Sequence, residues 1–260
     1  MDLGLRGRRA LVLASTKGLG RSVATALAGE GASVMICGRT GATQAAEGIS
    51  RETGGAVTGR DCDLHDRAAI DDLMQAASAE MGGIDILVLN GGGPPPAPAL
   101  DVSGKAWADW FERMVGNLVH AASIALPRMR ERGWGRLLTI ASSAAVQPIP
   151  GMALSNSLRA SLLAWNKTLA SEIAADGITC NVVLPGRIDT ERVAVLDRAK
   201  AEREGREIAE VKRDVLSTIP VGRYGRPDEF GSVAAFLCSE KASYVTGTVL
   251  RIDGGLIRSI

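Results

Sequence analysis

Gly18 and Gly20 close the run Leu13-Ala14-Ser15-Thr16-Lys17-Gly18-Leu19-Gly20, which follows a short apolar stretch and opens a helical pattern. Glycine at such a turn lets the backbone approach a pyrophosphate, and the helix N-terminus then stabilises the negative charge. Ala14, Ser15, Thr16, Lys17, Gly18, Leu19 and Gly20 are therefore the candidate phosphate loop, set against the plainer reading of a structural strand-to-helix turn. A second signal is Ile36-Cys37-Gly38-Arg39, at the end of the next apolar run. An acidic residue there would hydrogen-bond the ribose 2′-hydroxyl of NAD, whereas an arginine accommodates the 2′-phosphate of NADP. Arg39, with Lys17 placed to reach the same phosphate, points to NADP(H); a pair of solvent-facing basic residues is the alternative. Further along, Ser155 and Arg159 stand four apart, so a hydroxyl and a cation share one face of a helix.

The elements that must position these groups follow from hydrophobic pattern. Short, nearly continuous apolar runs occupy 10–14, 33–37, 56–62, 84–90, 136–141, 179–184 and 248–252, as expected of parallel strands covered on both faces. Helical patterns lie between them near 18–30, 41–53, 65–81, 102–131, 153–175 and 227–238. This alternation predicts the α/β class: a doubly wound, Rossmann-type parallel sheet of about seven strands with right-handed crossovers. Ligands of such a sheet bind beyond the carboxyl ends of the strands, where the loop residues above fall. The helix after Gly151 carries Leu158, Leu162, Trp165, Leu169 and Ile173 on one stripe, which reads as core or subunit interface. The charged stretch 189–216, interrupted by Gly205, reads either as a solvated helix pair or as a lid over a substrate cleft.

Composition narrows the function. The 260 residues show no linker, repeat or low-complexity tract, so 1–260 is expected to form one domain. With 46% hydrophobic but only 3% aromatic residues, aliphatic side chains must fill its core. A net charge of +1 gives no electrostatic reason to expect nucleic acid or an anionic membrane as partner. Arg6, Arg8 and Arg9 before Ala10-Leu11-Val12-Leu13-Ala14 imitate a signal peptide, but the apolar run is short and Lys17 and Arg21 follow at once, so a first strand is expected. Cys37, Cys62, Cys180 and Cys238 are widely spaced and the histidines are only His65 and His120. Buried reduced thiols, no metal site and a cytoplasmic location are the expectations. No apolar run approaches the roughly 20 residues needed to span a bilayer.

The segments that follow the remaining strands carry a family resemblance. Asp63-Leu64 resembles a pair that holds an adenine ring, and Asn90-Gly91-Gly92-Gly93 an Asn-Asn-Ala-Gly turn with Gly91 in place of its second asparagine. Asn117, the strand end Thr139-Ile140-Ala141-Ser142-Ser143, and Pro185-Gly186 followed by Ile188 and Thr190 continue the series. Arg223-Tyr224-Gly225-Arg226-Pro227-Asp228-Glu229 and Val245-Thr246-Gly247 through Asp253-Gly254-Gly255 complete it. Together these resemble the short-chain dehydrogenase/reductase family over nearly the whole chain, most closely its 3-oxoacyl-acyl-carrier-protein reductase branch. The resemblance implies an oxidoreductase acting on a small carbonyl or alcohol, or on an acyl thioester, assembled as a homotetramer or homodimer through the helices near 102–131 and 153–175. It assigns Asp63, Leu64, Asn90, Gly91, Gly92, Pro185, Gly186, Ile188 and Thr190 to the cofactor, Ser142 to the substrate carbonyl and Asn117 to a water-borne proton relay. Ala14 stands where the family has its first loop glycine.

The departure lies at the proton donor. The family places Tyr-x-x-x-Lys where this chain has Ser155 and Arg159; Ser142, thirteen residues before Ser155, fixes that alignment over Ser143. A phenol has a pKa of about 10, and an aliphatic hydroxyl lies near that of water, about 15.7. At 1.36 kcal/mol per unit the gap is about 8 kcal/mol, more than one cation in a solvated cleft supplies. Arg159 retains the charge and could hold ribose hydroxyls, but its planar fork differs from lysine. Three readings stay open: reduction with a water delivering the proton through Ser155, Ser142 and Asn117; NADP(H) binding with little chemistry, as a sensor or partner subunit; or a substrate that brings its own proton or needs none. His120, three residues beyond Asn117, is a candidate acid or simply a hydrogen-bonded helix residue.

Overall fold

In the computed structural model, which describes residues 1–259, alternate residues of each central strand feed two separate cores. Leu11, Met35, Leu87 and Leu137 point to one face, whereas Ala10, Val12, Val34, Ile36, Ile86 and Val88 point to the other. Both sets are buried, so the strands lack a polar side, and helices must cover the sheet front and back.

The strands are β1 (Arg9–Val12), β2 (Ser33–Gly38), β3 (Val57–Asp61), β4 (Ile86–Leu89), β5 (Gly135–Ile140), β6 (Ile178–Pro185) and β7 (Val249–Ile252). All pair in parallel in the order β3-β2-β1-β4-β5-β6-β7. The order reverses between β1 and β4, which opens a crevice between the loops that leave their carboxyl ends. Helices α1 (Gly18–Gly29), α2 (Ala42–Thr53) and α3 (Arg67–Met81) complete the first half. The second half adds α4 (Gly104–Phe111), α5 (Asn117–Arg132), α6 (Ala153–Ile173), α7 (Glu191–Glu204), α8 (Ile208–Ser217) and α9 (Pro227–Leu237).

The doubly wound sheet of seven strands agrees with the sequence expectation, with one local difference, and 189–216 forms the helix pair that Gly205 suggested. The pattern over 102–131 is divided: a π turn at Glu112–Gly116 separates α4 from α5 and sets the start of α5 at Asn117. Such an extra residue per turn re-aims the side chains that follow, and it often accompanies a functional position. The segment 189–216 is two helices, because Gly205 (φ +60°) takes the left-handed conformation that ends α7. The stripe on α6 is core: Leu158, Leu162 and Ile173 are buried, with Trp165 and Leu169 packed behind them.

A half-buried ion network ties the amino ends of the central strands together. Asp85 receives Arg9 Nη2 at 2.7 Å and Nε at 2.7 Å, and Arg132 Nε lies 3.3 Å away. All four cysteines are buried and unpaired, and burial pushes the thiols of Cys37, Cys180 and Cys238 up to about 12 and that of Cys62 to about 11. Thiols so protonated are poor nucleophiles and behave as small apolar side chains. Among the described residues no cluster of His, Cys, Asp or Glu is arranged for a metal ion, and no helix is long and apolar enough to cross a membrane.

Candidate active site

The loop after β1 is shaped by contacts that its own sequence does not reveal. Ser15 is buried: its Oγ donates to the Val12 carbonyl and accepts from the Cys37 amide at 3.2 Å, so its side chain stitches the loop to β2 rather than facing a ligand. Ala14 holds φ +47°, a left-handed conformation that costs a non-glycine residue about 1 kcal/mol or more. Its carbonyl is gripped by Asn90 Nδ2 at 2.9 Å from the end of β4, which offsets that cost and locks the two sides of the crevice together. Gly20 packs so tightly beneath this clamp that an added Cβ would lie 2.5 Å from the Ala14 carbonyl oxygen and 2.8 Å from Asn90 Nδ2. The close approach excludes every other residue.

Above the clamp the crevice is open. A Cβ added at Gly18, Gly91 or Gly92 would meet nothing within 4 Å, so backbone lines the cavity on both sides. Lys17 at the N-cap of α1 makes no side-chain capping bond, which leaves the leading N–H groups of α1 free for an anion. Its ammonium instead pairs with Glu191 at 3.1 Å across the mouth of the cleft; both are exposed, so the pair is weak and exchangeable. Arg39 is exposed at the end of β2 and forms no ion pair among the described residues. The residues present fit a dinucleotide: a backbone cradle for the pyrophosphate and an unpaired guanidinium at the far end. Asp63 is exposed and its Oδ1 accepts the His65 amide at 3.0 Å, while the carbonyl of Leu64 accepts Asn117 Nδ2 at 2.8 Å. Asn117 is otherwise buried, and its Oδ1 has no partner among the described residues.

On the other side of the crevice, Pro185 and Ile188 are buried, and Ile188 pairs with Gly225 in an isolated bridge. A Cβ on Gly186 would lie 2.6 Å from Asp253 Cα. This close packing explains the pairing of the Pro-Gly turn with the C-terminal Asp-Gly-Gly. Thr190 caps α7, its Oγ1 accepting from Val193 N at 3.5 Å, a long bond that leaves the hydroxyl hydrogen free to donate. Asp197, buried on α7, accepts from Tyr224 OH at 2.8 Å and faces Arg187 Nη1 at 3.4 Å, so α7 is anchored despite its charged surface. Burial, then the bond to Asp197, pushes the Tyr224 phenol up to about 12, and Tyr244 is fully exposed. Neither phenol is presented to Ser142.

Three of the four predicted catalytic residues, Ser142, Ser155 and Arg159, lie at the carboxyl end of β5 or on the first turns of α6, whereas Asn117 is tied to the Leu64 carbonyl after β3. Ser142 follows that strand, and its Oγ accepts from Ala144 N at 3.2 Å in a short 3₁₀ turn against which the start of α6 packs. Ser155 is buried in the first turn of α6. One turn on, Arg159 Nη1 donates to the carbonyls of Ile140 (3.2 Å) and Ala141 (3.0 Å). Burial first, and then the neighbouring charge of Arg192, lowers the Arg159 guanidinium to about 10; it remains a cation at neutral pH. An alanine methyl placed at Gly93 would lie 3.8 Å from Arg159 Nη2 and 4.0 Å from Arg192 Nη2, so both forks reach the same part of the cleft.

Sequence reasoning missed Arg192, which sits in a charged segment without a motif. It also missed Asn156, whose amide bonds both polar groups of the Ile149 backbone (3.3 and 2.9 Å) and so pins the loop before α6. That loop in turn meets the loop after β4 through the Ala97–Met152 bridge. His120 hydrogen-bonds Asp71 through Nε2 at 2.6 Å on the α3–α5 surface, which accounts for it as a structural residue. A separate 710 Å³ cavity, lined by Trp134, Arg136, Thr179, Tyr244 and Thr246 among others, opens at the amino ends of β5 and β6, where a parallel sheet offers no helix N-termini to a phosphate.

Comparison with known proteins agrees with this geometry. Residues 13–257 match a family described as enoyl-(acyl carrier protein) reductase. The D-beta-hydroxybutyrate dehydrogenase of Cupriavidus necator is 33% identical over 255 residues, covering 97% of this chain and 99% of that one. The 3-oxoacyl-acyl-carrier-protein reductase FabG of Haemophilus influenzae is also 33% identical over 255 residues, covering 98% and 100%. Among solved structures, L-sorbose reductase from Gluconobacter frateurii, complexed with NADPH and L-sorbose, superposes with a TM-score of 0.94 at 29% identity over 100% of both chains.

Proposed function

Since the chain belongs to the short-chain dehydrogenase/reductase family of oxidoreductases, we propose that it is an NADP(H)-dependent reductase of a ketone, with a 3-oxoacyl thioester among the candidate substrates. The observation that carries this reading is the open backbone cradle between β1 and β4, with Arg39, unpaired among the described residues, at one end and Ser142, Ser155 and Arg159 at the other. The bound nicotinamide would supply the hydride. The α1 N-terminus holds the pyrophosphate, Arg39 with Lys17 the 2′-phosphate, and Asp63 with Leu64 the adenine side. Asn90 and Gly20 keep the loop in shape. The Ser142 hydroxyl orients the carbonyl, and a proton reaches the nascent alkoxide through a water that the Asn117 backbone anchors and Ser155 hands on.

Substituting Arg39→Ala is expected to weaken NADPH binding by about 10- to 100-fold, the worth of a charge-assisted phosphate contact, with NADH binding unchanged. Titration of both nucleotides checks this, and equal affinity of the wild type for the two would sink the assignment of Arg39. His120→Ala, by contrast, should leave NADPH oxidation unchanged, since the ring is engaged with Asp71; a lost rate would bring it back as an acid.

A second reading, an NADP(H)-binding protein with little catalysis, is favoured by one observation: both tyrosines are placed elsewhere, in a bond to Asp197 and in solvent. NADPH consumption over a panel of ketones and 3-oxoacyl thioesters decides between them. On the reductase reading we take 189–216 as a cover over the substrate cleft, and on either reading α4, α5 and α6 as the faces of a homotetramer or homodimer. A monomer by sedimentation at micromolar concentration would refute that assembly.

A further inference from the structure

We propose that Arg159 and Arg192 form a two-arginine seat for a carboxylate on the substrate itself, so that the physiological ketone is an oxo acid. The inference rests on the reductase reading above and makes its substrate class specific. Arg159 is partly buried, yet among the described residues it has no carboxylate partner; its only hydrogen bonds are from Nη1 to two strand-end carbonyls. Its Nη2 faces Gly93, and Arg192 Nη2 comes to the same place from the second residue of α7. Arg192 likewise lacks an ion pair or hydrogen bond among the described residues. Two guanidinium groups brought together repel one another unless an anion lies between them. Their planar forks match the two oxygens of a carboxylate.

Glycine at position 93 leaves that space unfilled, and the open backbone of Gly91 and Gly92 continues it toward the crevice. The cofactor has other partners for its phosphates: the α1 N-terminus for the pyrophosphate, and Arg39 with Lys17 for the 2′-phosphate. The arginine pair lies instead beside Ser142, between the loop after β4 and the lid. A carboxylate held there would leave the other end of a short oxo acid at the Ser142 hydroxyl. This also gives a reason for arginine at 159, because a lysine would present a point charge to a planar anion.

The test uses pyruvate, acetoacetate and levulinate, each beside its methyl ester, titrated calorimetrically into free protein and into protein loaded with NADP⁺. Wild type is compared with Arg192→Gln, an exposed position whose substitution spares the core, and with Arg192→Lys. At least one acid should bind ten-fold or more tighter than its ester. That ratio should collapse in Arg192→Gln and return in part in Arg192→Lys, with NADPH affinity unchanged in all three. Esters that bind as well as acids would overturn the proposal. So would an Arg192→Gln protein that loses NADPH affinity while keeping its acid-to-ester ratio, since the pair would then serve a cofactor phosphate. Discrimination of acid from ester without any NADPH oxidation would uphold the seat and refute the reductase reading. Failure to bind NADPH would refute that reading too, and the titration of free protein would still decide the seat.

Discussion

Ser155→Tyr combined with Arg159→Lys is expected to raise NADPH-dependent reduction of a neutral ketone by about 10²- to 10⁴-fold, the usual contribution of a positioned general acid. The expectation follows from what the wild-type site lacks. Ser142 stands at the end of β5, Asn117 is set by its π turn, and α6 presents positions 155 and 159 one turn apart against the same strand end. The phenol would bring a pKa near 10 to a place where the hydroxyl of Ser155 is about 5–6 units weaker as an acid. The ammonium that replaces the guanidinium would hold that phenol's pKa down, as a cation beside an ionising group does. A stopped assay on the single variants belongs beside it: Ser155→Tyr alone should recover part of the gain, and Arg159→Lys alone almost none. If the double variant is folded by thermal denaturation, binds NADPH and still gains no rate, the crevice does not position a ketone for reduction. A wild type that already reduces ketones rapidly would show that its water relay suffices.

Removal of one carboxylate should have the largest effect on stability. Asp85→Asn is expected to cost about 3 kcal/mol, because it leaves Arg9 and Arg132 facing a neutral amide at the amino end of the sheet. In a chain of this size that corresponds to a fall in Tm of about 6–12 °C. Burial alone would raise the Asp85 carboxyl, but the bidentate bond from Arg9, the Arg9 backbone N–H and the charge of Arg132 together hold it below the usual carboxylate range. The sign of the pH dependence follows. A carboxyl whose pKa is lower folded than unfolded contributes its stability fully above the unfolded value of about 4, and that contribution disappears as pH falls through the folded value. Wild type should therefore lose stability below about pH 4 more steeply than Asp85→Asn, and their melting curves should draw together in acid. Parallel pH profiles for the two proteins would show that Asp85 is not the titrating group.

The chain's local pattern determined the architecture by itself. Seven apolar runs alternating with amphipathic ones bury both faces of a parallel sheet under helices, and the glycines after β1 and β4 mark the crevice because they leave its walls to backbone. The family resemblance, through the spacing from Ser142, also set Ser155 and Arg159 against a Tyr-x-x-x-Lys pair, an expectation that the double variant puts to the test. Other features depended on segments meeting that are distant along the chain. Ser15 turned out to brace β2 through Cys37, and Lys17 to reach Glu191, because loop side chains settle on whatever packs beside them. Local periodicity ran straight through 102–131; the π turn that starts α5 at Asn117 is an offset of one residue, too small to disturb an apolar pattern. Arg192 carried no signal in a run of surface charges. It acquires a role only where α7 crosses the loop after β4 and sets a second guanidinium beside Arg159, a like-charge meeting that sequence spacing cannot encode.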